Sequence, residues 1–254
     1  MRTADWTDSV SVLDRVTAVF EAFGEHDEGL GVSELARRAN LPKSTVSRIV
    51  AGRVGQRFLE RDGDKLFLGI RLFELGQTVQ RPRELRTLAL PVMTDLRNLT
   101  GHTVHLAVLE GGDIVFLAIV RGWPTPKPLG RVGGRLPAHA TALGKAILAT
   151  SARDVVESIV NGGLERRTPR TICEPAALLR ELTETRRSGT ATEWEECATG
   201  RACVASAVLG RGAVPMAAIS VAGSVEELSS DRLASAVRAA ARTLSRRIGV
   251  GRIS

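Results

Sequence analysis

Residues 31–69, GVSELARRANLPKSTVSRIVAGRVGQRFLERDGDKLFLG, order themselves as a helix, a tight turn, a second helix and a two-stranded ribbon. Val32, Leu35, Ala36 and Ala39 recur at i, i+3, i+4 and i+7, one apolar stripe of a 3.6-residue period, with Arg37 and Arg38 off it. Asn40-Leu41-Pro42 then breaks the helix, because Asn tolerates a left-handed conformation and Pro keeps its predecessor out of the α region. The second helix is expected to start at Pro42–Ser44, with Pro in its first turn and Ser44 capping free N–H groups. Val46, Ile49 and Val50 continue the inward stripe and leave Lys43, Ser44, Thr45, Ser47 and Arg48 facing out. Phe58–Arg61 and Lys65–Leu68 flank Asp62-Gly63-Asp64, and Asp-Gly between two short runs with apolar residues signals a hairpin.

This order is that of a winged helix-turn-helix, whose second helix ordinarily enters a DNA major groove. Short hydroxyls with Arg and Lys at a helix N-terminus suit base edges and phosphates. The candidate DNA contacts are Arg38, Lys43, Ser44, Thr45, Ser47 and Arg48, with Arg61 and Lys65 from the wing, and double-stranded DNA is the expected partner. The charge distribution agrees locally. The chain of 254 residues carries a net +7, yet residues 1–80 hold 11 Lys/Arg against 12 Asp/Glu. Within Leu35–Phe73 the balance is nine basic to three acidic residues, which concentrates positive charge where phosphate contact requires it.

The remaining length suits a second domain with its own core, built from Leu, Val, Ile and Ala because aromatics make up only 4% of the chain. No apolar run approaches the roughly 18–20 residues of a membrane span, and MRTADWTDSV lacks the apolar stretch of a signal peptide. Three scattered cysteines argue for a reducing cytoplasm rather than a disulfide scaffold. A helix is expected over Ser9–Phe23, with Val12, Val16, Val19, Phe20 and Phe23 as its stripe, and a polar loop over Gly24–Gly31. The expected division is residues 1–69 as the winged helix-turn-helix, 70–82 as a linker helix (Ile70–Gln80) with a hinge at Arg81-Pro82, and 83–254 as a mixed α/β domain.

In that domain helices are expected at Arg83–Asn98 (bent at Pro91), His139–Thr150, Arg153–Val160, Pro175–Arg187 and Ser230–Ile248, the last capped by Ser229 or Ser230. Strands are expected at Thr103–Leu109, Ile114–Val120, Ala202–Leu209 and Met216–Ala222, with a Gly- and Pro-rich stretch over Gly122–Pro137. The result is an α+β layer with one antiparallel sheet. Thr141 is a candidate cap, and the free amides of Ala142 and Leu143 would then open a helix start suited to an anion. Alternation along Arg201–Val208 puts Arg201, Cys203, Ala205 and Ala207 on one face. Pointing inward, Arg201 would clamp a carboxylate bidentately; a bulge would turn it out to solvent.

Taken in order, ELARRANLPKSTVSRI, FLERDGDKLFLG, GRLPAHATALGKAILA, RTPRTI, GRACVASAV and AAISVAGS resemble the IclR family of bacterial transcription regulators over about residues 9–250. The resemblance implies a winged helix-turn-helix joined by a linker helix to a GAF-like effector-binding domain with an antiparallel sheet. It also implies dimers or dimers of dimers on operator DNA, and regulation, repression being the expected sign, by a small metabolite without a cofactor or a membrane. In similar proteins the amides matching Ala142 and Leu143 meet an acid group of the effector, Cys203 and Ser220 fall where the pocket is lined, and Glu193 matches a position that is often acidic. The expected effector is a small carboxylic acid. Departures from the family pattern are Arg201, Arg53 on the inward stripe where Leu is usual, and Arg57 in place of a glycine before the wing. Either the reader helix ends early and both arginines reach phosphates, or the domain loses stability, with Gly52 and Gly55 each weakening the helix by roughly 1 kcal/mol.

Two other readings draw on the same chain. A redox- or metal-responsive regulator would signal through Cys203, although a buried pocket thiol is ordinarily inert packing. An enzyme would draw on Cys173, Cys197 and Cys203 with His102, His105 and His139, but no HExxH, paired CxxC or phosphate-binding glycine loop accompanies them. Cys197 and Cys203 are poorly spaced for zinc, and His139 beside a helix start is expected as a structural hydrogen-bonder. No catalytic and no metal site is expected.

Overall fold

A computed structural model describes residues 11–24, 28–122, 130–228 and 231–250. Ser9, part of the Gly24–Gly31 loop, residues 123–129 of the Gly- and Pro-rich stretch and the caps at Ser229 and Ser230 lie outside the described residues. Contacts divide the chain after Gln80 into two compact units.

In the first unit, α1 (Val12–Glu21) starts at a reciprocal cap: the Asp14 N–H donates to Ser11 Oγ at 3.1 Å and the Ser11 N–H to the Asp14 carboxylate at 2.9 Å. α2 (Val32–Arg38) gives way at Asn40, which holds φ +52, to α3 (Lys43–Gly55). Two expectations are corrected here. Pro42 is the N-cap of α3 and no side chain caps it, since Ser44 already lies inside the first turn. The helix does not end early: it continues through Arg53, whose side chain stays half-buried and donates to Gln56 Oε1 at 2.6 Å. Gly52 and Gly55 are exposed on this helix and meet no neighbour.

Arg57 follows at φ +60, the left-handed region in which a glycine costs nothing. The wing is β1 (Leu59–Asp62) paired with β2 (Lys65–Leu68), Leu59 opposite Leu68 and Asp62 opposite Lys65. Leu30 adds one antiparallel bridge to Leu66. Val19, Leu30, Leu35, Val46, Val50, Leu59 and Leu66 make this unit's core. α4 (Ile70–Thr78) ends where Val79 turns extended, and α5 (Gln80–Thr100) takes in Arg81 and Pro82. Pro82 thus sits in a first helical turn, where its missing N–H has no acceptor to lose, and the break expected there falls at Val79.

The second unit is a six-stranded antiparallel sheet covered by helices on both faces. Its strands are β3 (Thr103–Glu110), β4 (Asp113–Val120), β5 (Arg135–Pro137), β6 (Ala191–Trp194), β7 (Arg201–Leu209) and β8 (Pro215–Ser224), ordered β5-β4-β3-β8-β7-β6. β5 and β6 are additions to the expected set. α5 and α9 (Asp231–Val250) pack Leu85, Met93, Val237 and Leu244 against Leu106, Val204 and Ile219 on one face. On the other face α6 (Ala142–Thr150), α7 (Arg153–Asn161) and α8 (Pro175–Ser188) pack against Ala107, Ala205 and Ala218. The small side chains of that row let α6 approach closely, and almost the whole helix is buried. The helix expected from His139 starts three residues later, because Ala138–Ala140 wind into a 3-10 turn that ends at Thr141.

Candidate functional site

Two surfaces gather the candidate residues, one in each unit. On α3, Lys43, Ser44, Ser47 and Arg48 are exposed and Thr45 is half-buried, while Val46 and Val50 face the core. The nine basic residues of this unit's reading region divide by what they bond. Arg37 and Arg38 both pair with Glu34, holding its carboxyl down to about 2 chiefly through the Arg37 hydrogen bond. Arg38 also reaches the Ala22 carbonyl at 3.3 Å, so it ties α2 to the end of α1. Arg57 and Arg71 share Glu74, Arg53 holds Gln56, and Lys65 Nζ donates to the Glu28 carbonyl at 2.8 Å. Lys43, Arg48 and Arg61 are exposed and have no partner among the described residues. The uncommitted positive charge of the unit therefore lies at the α3 N-terminal half and on β1 of the wing.

In the second unit, Ala142, Leu143, Glu193, Arg201 and Cys203 line one small cavity with His105, Phe116, Leu136, Thr141, Cys197 and Ala222. β7 runs in unbroken register from Arg201 opposite Ser224 to Val208, so no bulge rotates Arg201 outward, and its side chain belongs to the cavity wall. Thr141 caps α6 by accepting the Gly144 N–H at 3.0 Å. The amides of Ala142 and Leu143, both buried, find no acceptor among the described residues. Gly144 is obligatory at this junction: a Cβ there would lie 2.1 Å from the Ala138 carbonyl oxygen.

Ser220 stands behind this wall, fully buried, with Oγ 3.4 Å from His105 Nδ1. It reaches the cavity only through that ring. Burial, with Arg201 and Arg121 nearby, pushes His105 down to about 4, so it is a neutral imidazole packed 5.3 Å from the Phe116 ring. Glu193 is almost wholly buried, and desolvation raises its carboxyl to about 7 although it accepts N–H bonds from Glu196 at 2.7 Å and Cys197 at 3.1 Å. Beside it Lys145, with no exposed surface, donates to Glu196 at 2.7 Å and Glu181 at 3.1 Å. The threonines of RTPRTI fasten this turn: Thr168 Oγ1 donates to the Glu195 carbonyl and Thr171 Oγ1 to that of Glu196, each at 2.6 Å.

The cavity is small, about 20 Å³, the room of roughly one water. Its lining surface is almost wholly apolar, and the residues around it include Ala142 and Leu143 with their two unpaired amides, Arg201, a neutral His105 and Glu193. It does not favour thiolate chemistry. Burial pushes Cys197 up to about 12 and Cys203 well above the ordinary thiol value, and the protonated thiol is the unreactive form. His139 Nε2 donates to the Glu165 carbonyl, 3.0 Å away, a structural bond. His105, Phe116 and Cys197 were not among the sequence candidates for this cavity. The alternation of β3 gave a signal for His105, which shares a face with Ala107.

Comparison with known proteins assigns both units. Residues 12–63 match the IclR helix-turn-helix domain and residues 77–246 match the bacterial transcriptional regulator IclR C-terminal family. The chain is 34% identical to the HTH-type transcriptional regulator KdgR of Escherichia coli over 251 residues, covering 95% of this chain and 94% of that protein. It is 30% identical to the transcriptional repressor IclR of E. coli, covering 91% and 86%. Among solved structures, an IclR homologue from Microbacterium hydrocarbonoxydans in complex with 4-hydroxybenzoate superposes with a TM-score of 0.87 at 31% identity, covering 95% of this chain and all of that one. No helix among the described residues is long and apolar enough to cross a membrane.

Proposed function

The chain belongs to the IclR family of bacterial transcriptional regulators and is a regulator rather than an enzyme; from that premise we propose that it is a repressor, released from its operator by a small carboxylic acid. The observation that carries the effector class is that Ala142 and Leu143, buried residues whose amides find no acceptor among the described residues, line the same cavity as Arg201. A buried N–H without an acceptor is costly, so a bound carboxylate gains both amides and a charge-assisted clamp at once. The similar protein that holds 4-hydroxybenzoate supports an aromatic acid with a distal hydroxyl, for which His105 and Glu193 are the available partners. Such an acid exceeds the cavity's volume of about 20 Å³, so its entry displaces wall side chains. On the DNA side, α3 reads bases with Ser44, Thr45, Ser47 and Arg48, and Lys43 and Arg61 hold phosphates. Arg38 and Lys65 assist from positions already tied to the domain.

The test has two arms. In a thermal-shift series, 4-hydroxybenzoate and other small carboxylic acids, each beside its amide, should raise Tm as acids and not as amides. Equal stabilisation by the neutral analogues overturns the anion reading. On an operator recovered by selection from genomic fragments, Arg48→Ala should cost about 1–3 kcal/mol, roughly 5- to 150-fold in affinity, at matched salt. Unchanged affinity removes Arg48 from base reading and leaves the effector arm standing.

A further inference from the structure

A second, larger recess of the C-terminal unit shares no lining residue with the effector cavity. β6 pairs with β7 only over Ala202–Ala205, so β7 outruns it and Ser206–Leu209 form a sheet edge. There α6 and α8 on one side and α9 on the other leave a cleft of about 760 Å³. Its walls carry Arg186, Arg238, Arg242 and Arg246 and five hydroxyl side chains, and no Asp or Glu is among the lining residues.

None of these four guanidinium groups pairs with a carboxylate among the described residues. Arg186 Nε donates to the Ala149 carbonyl, and Arg238 donates to the Ser188 carbonyl at 3.2 Å and to Ser235 Oγ at 3.2 Å. Arg246 makes one long contact of 3.5 Å with Thr243 Oγ1, and Arg242 has no partner among the described residues. Carbonyl bonds orient a guanidinium without neutralising it, so four like charges face one concave wall. Field lines focus in such a cleft and draw in an anion. Arg238, Arg242 and Arg246 recur every four residues along α9, a row of charges about 6 Å apart by helical rise. Arginine forks match phosphate oxygens two at a time, and the cleft's volume lies in the range of small-molecule sites, about 300–1,000 Å³.

We propose that this cleft binds a small molecule bearing two or more phosphoryl groups, a second ligand site on the effector unit beside the carboxylate cavity. Pyrophosphate and inorganic phosphate are the probes, titrated calorimetrically into the full chain at fixed ionic strength. Pyrophosphate should bind at least tenfold tighter than phosphate. The double variant Arg242→Ala/Arg246→Ala, both exposed positions, should weaken it at least tenfold with Tm unchanged, and Arg242→Lys/Arg246→Lys should weaken it less. Lys43→Ala/Arg48→Ala, which strips charge from the DNA-reading face, should leave it intact. Absent binding to the unaltered chain, or loss confined to the Lys43/Arg48 variant, overturns the proposal. So does a fall of about two in the salt slope of operator binding for Arg242→Ala/Arg246→Ala, which would make DNA phosphates the occupant.

Discussion

Glu193 shows how burial turns one carboxyl into a pH-dependent wall of the cavity. The unfolded chain ionises it near 4.5 and the folded protein near 7. Between those values the native state keeps a proton that the unfolded state releases, so the group costs stability increasingly as pH rises through this window, and the full cost is present above 7. Glu193→Gln keeps an oxygen for the Glu196 and Cys197 amides and removes the ionisation. We expect it to match the unaltered protein at pH 5 and to exceed it at pH 8 by about 1–3 kcal/mol, read from urea unfolding at the two pH values. A constant difference across that range would show that the carboxyl does not titrate there. Arg57 is a second residue whose backbone sets its cost. It holds φ +60, and its ion pair with Glu74 is exposed and long at 3.5 Å. A non-glycine residue in this region costs roughly 1–2 kcal/mol, and an exposed pair returns little. Arg57→Gly should therefore stabilise the first unit by about 1 kcal/mol after the entropy of the added glycine is counted, seen as a higher urea midpoint. A lower midpoint would mean that the Glu74 contact outweighs the strain.

At the scale of elements, the entry to α6 is where sequence and site meet. Pro137 and Thr141 announced a helix start, and Thr141 does cap it. The 3-10 turn before it was hidden, because Ala138, His139 and Ala140 suit a helix as well as a turn, and only the packing of Gly144 on the Ala138 carbonyl selects between them. β6 was equally hidden: four residues with an alternating burial pattern give too short a period to stand out from a loop. The long strands were plain from alternation. That His105, Ser220 and Ala205 form one cross-strand row follows from sheet order, β3 beside β8 beside β7, which no local stretch encodes. The reader helix was legible for the opposite reason, since all of its candidates lie within six residues. Gly144→Ala tests the junction. A methyl there collides with the Ala138 carbonyl, so the turn and α6 must separate, which costs about 1–3 kcal/mol and moves the Ala142 and Leu143 amides. The variant should bind its operator normally and lose the acid-induced Tm shift. A full shift would show that those amides do not hold the acid.

At the scale of the whole molecule, α4 presents an uncovered apolar face. This amphipathic helix buries none of its residues and leaves Ile70, Phe73 and Leu75 exposed, Phe73 at 63%, and Val79 just past its end is exposed too. Val12 and Leu13 of α1 are exposed as well. A nine-residue helix has too few hydrogen bonds to persist in water by propensity, so its apolar stripe must find a surface. We propose a second copy of the chain, each protomer burying α4 and the start of α1 against its partner, which gives two reader helices for a two-fold operator. The second reader then binds at the effective concentration set by the first, worth about 10²- to 10⁴-fold in affinity without any new contact. Phe73→Glu places a charge in that interface and leaves the domain core, Leu35, Val46, Leu59 and Leu66, untouched. Sedimentation should show its mass halved or lower relative to the unaltered protein. Its affinity for a full operator should fall to about that for a half-site, while half-site affinity stays the same. An unchanged mass for Phe73→Glu with full operator affinity would mean that α4 is not where the chains meet.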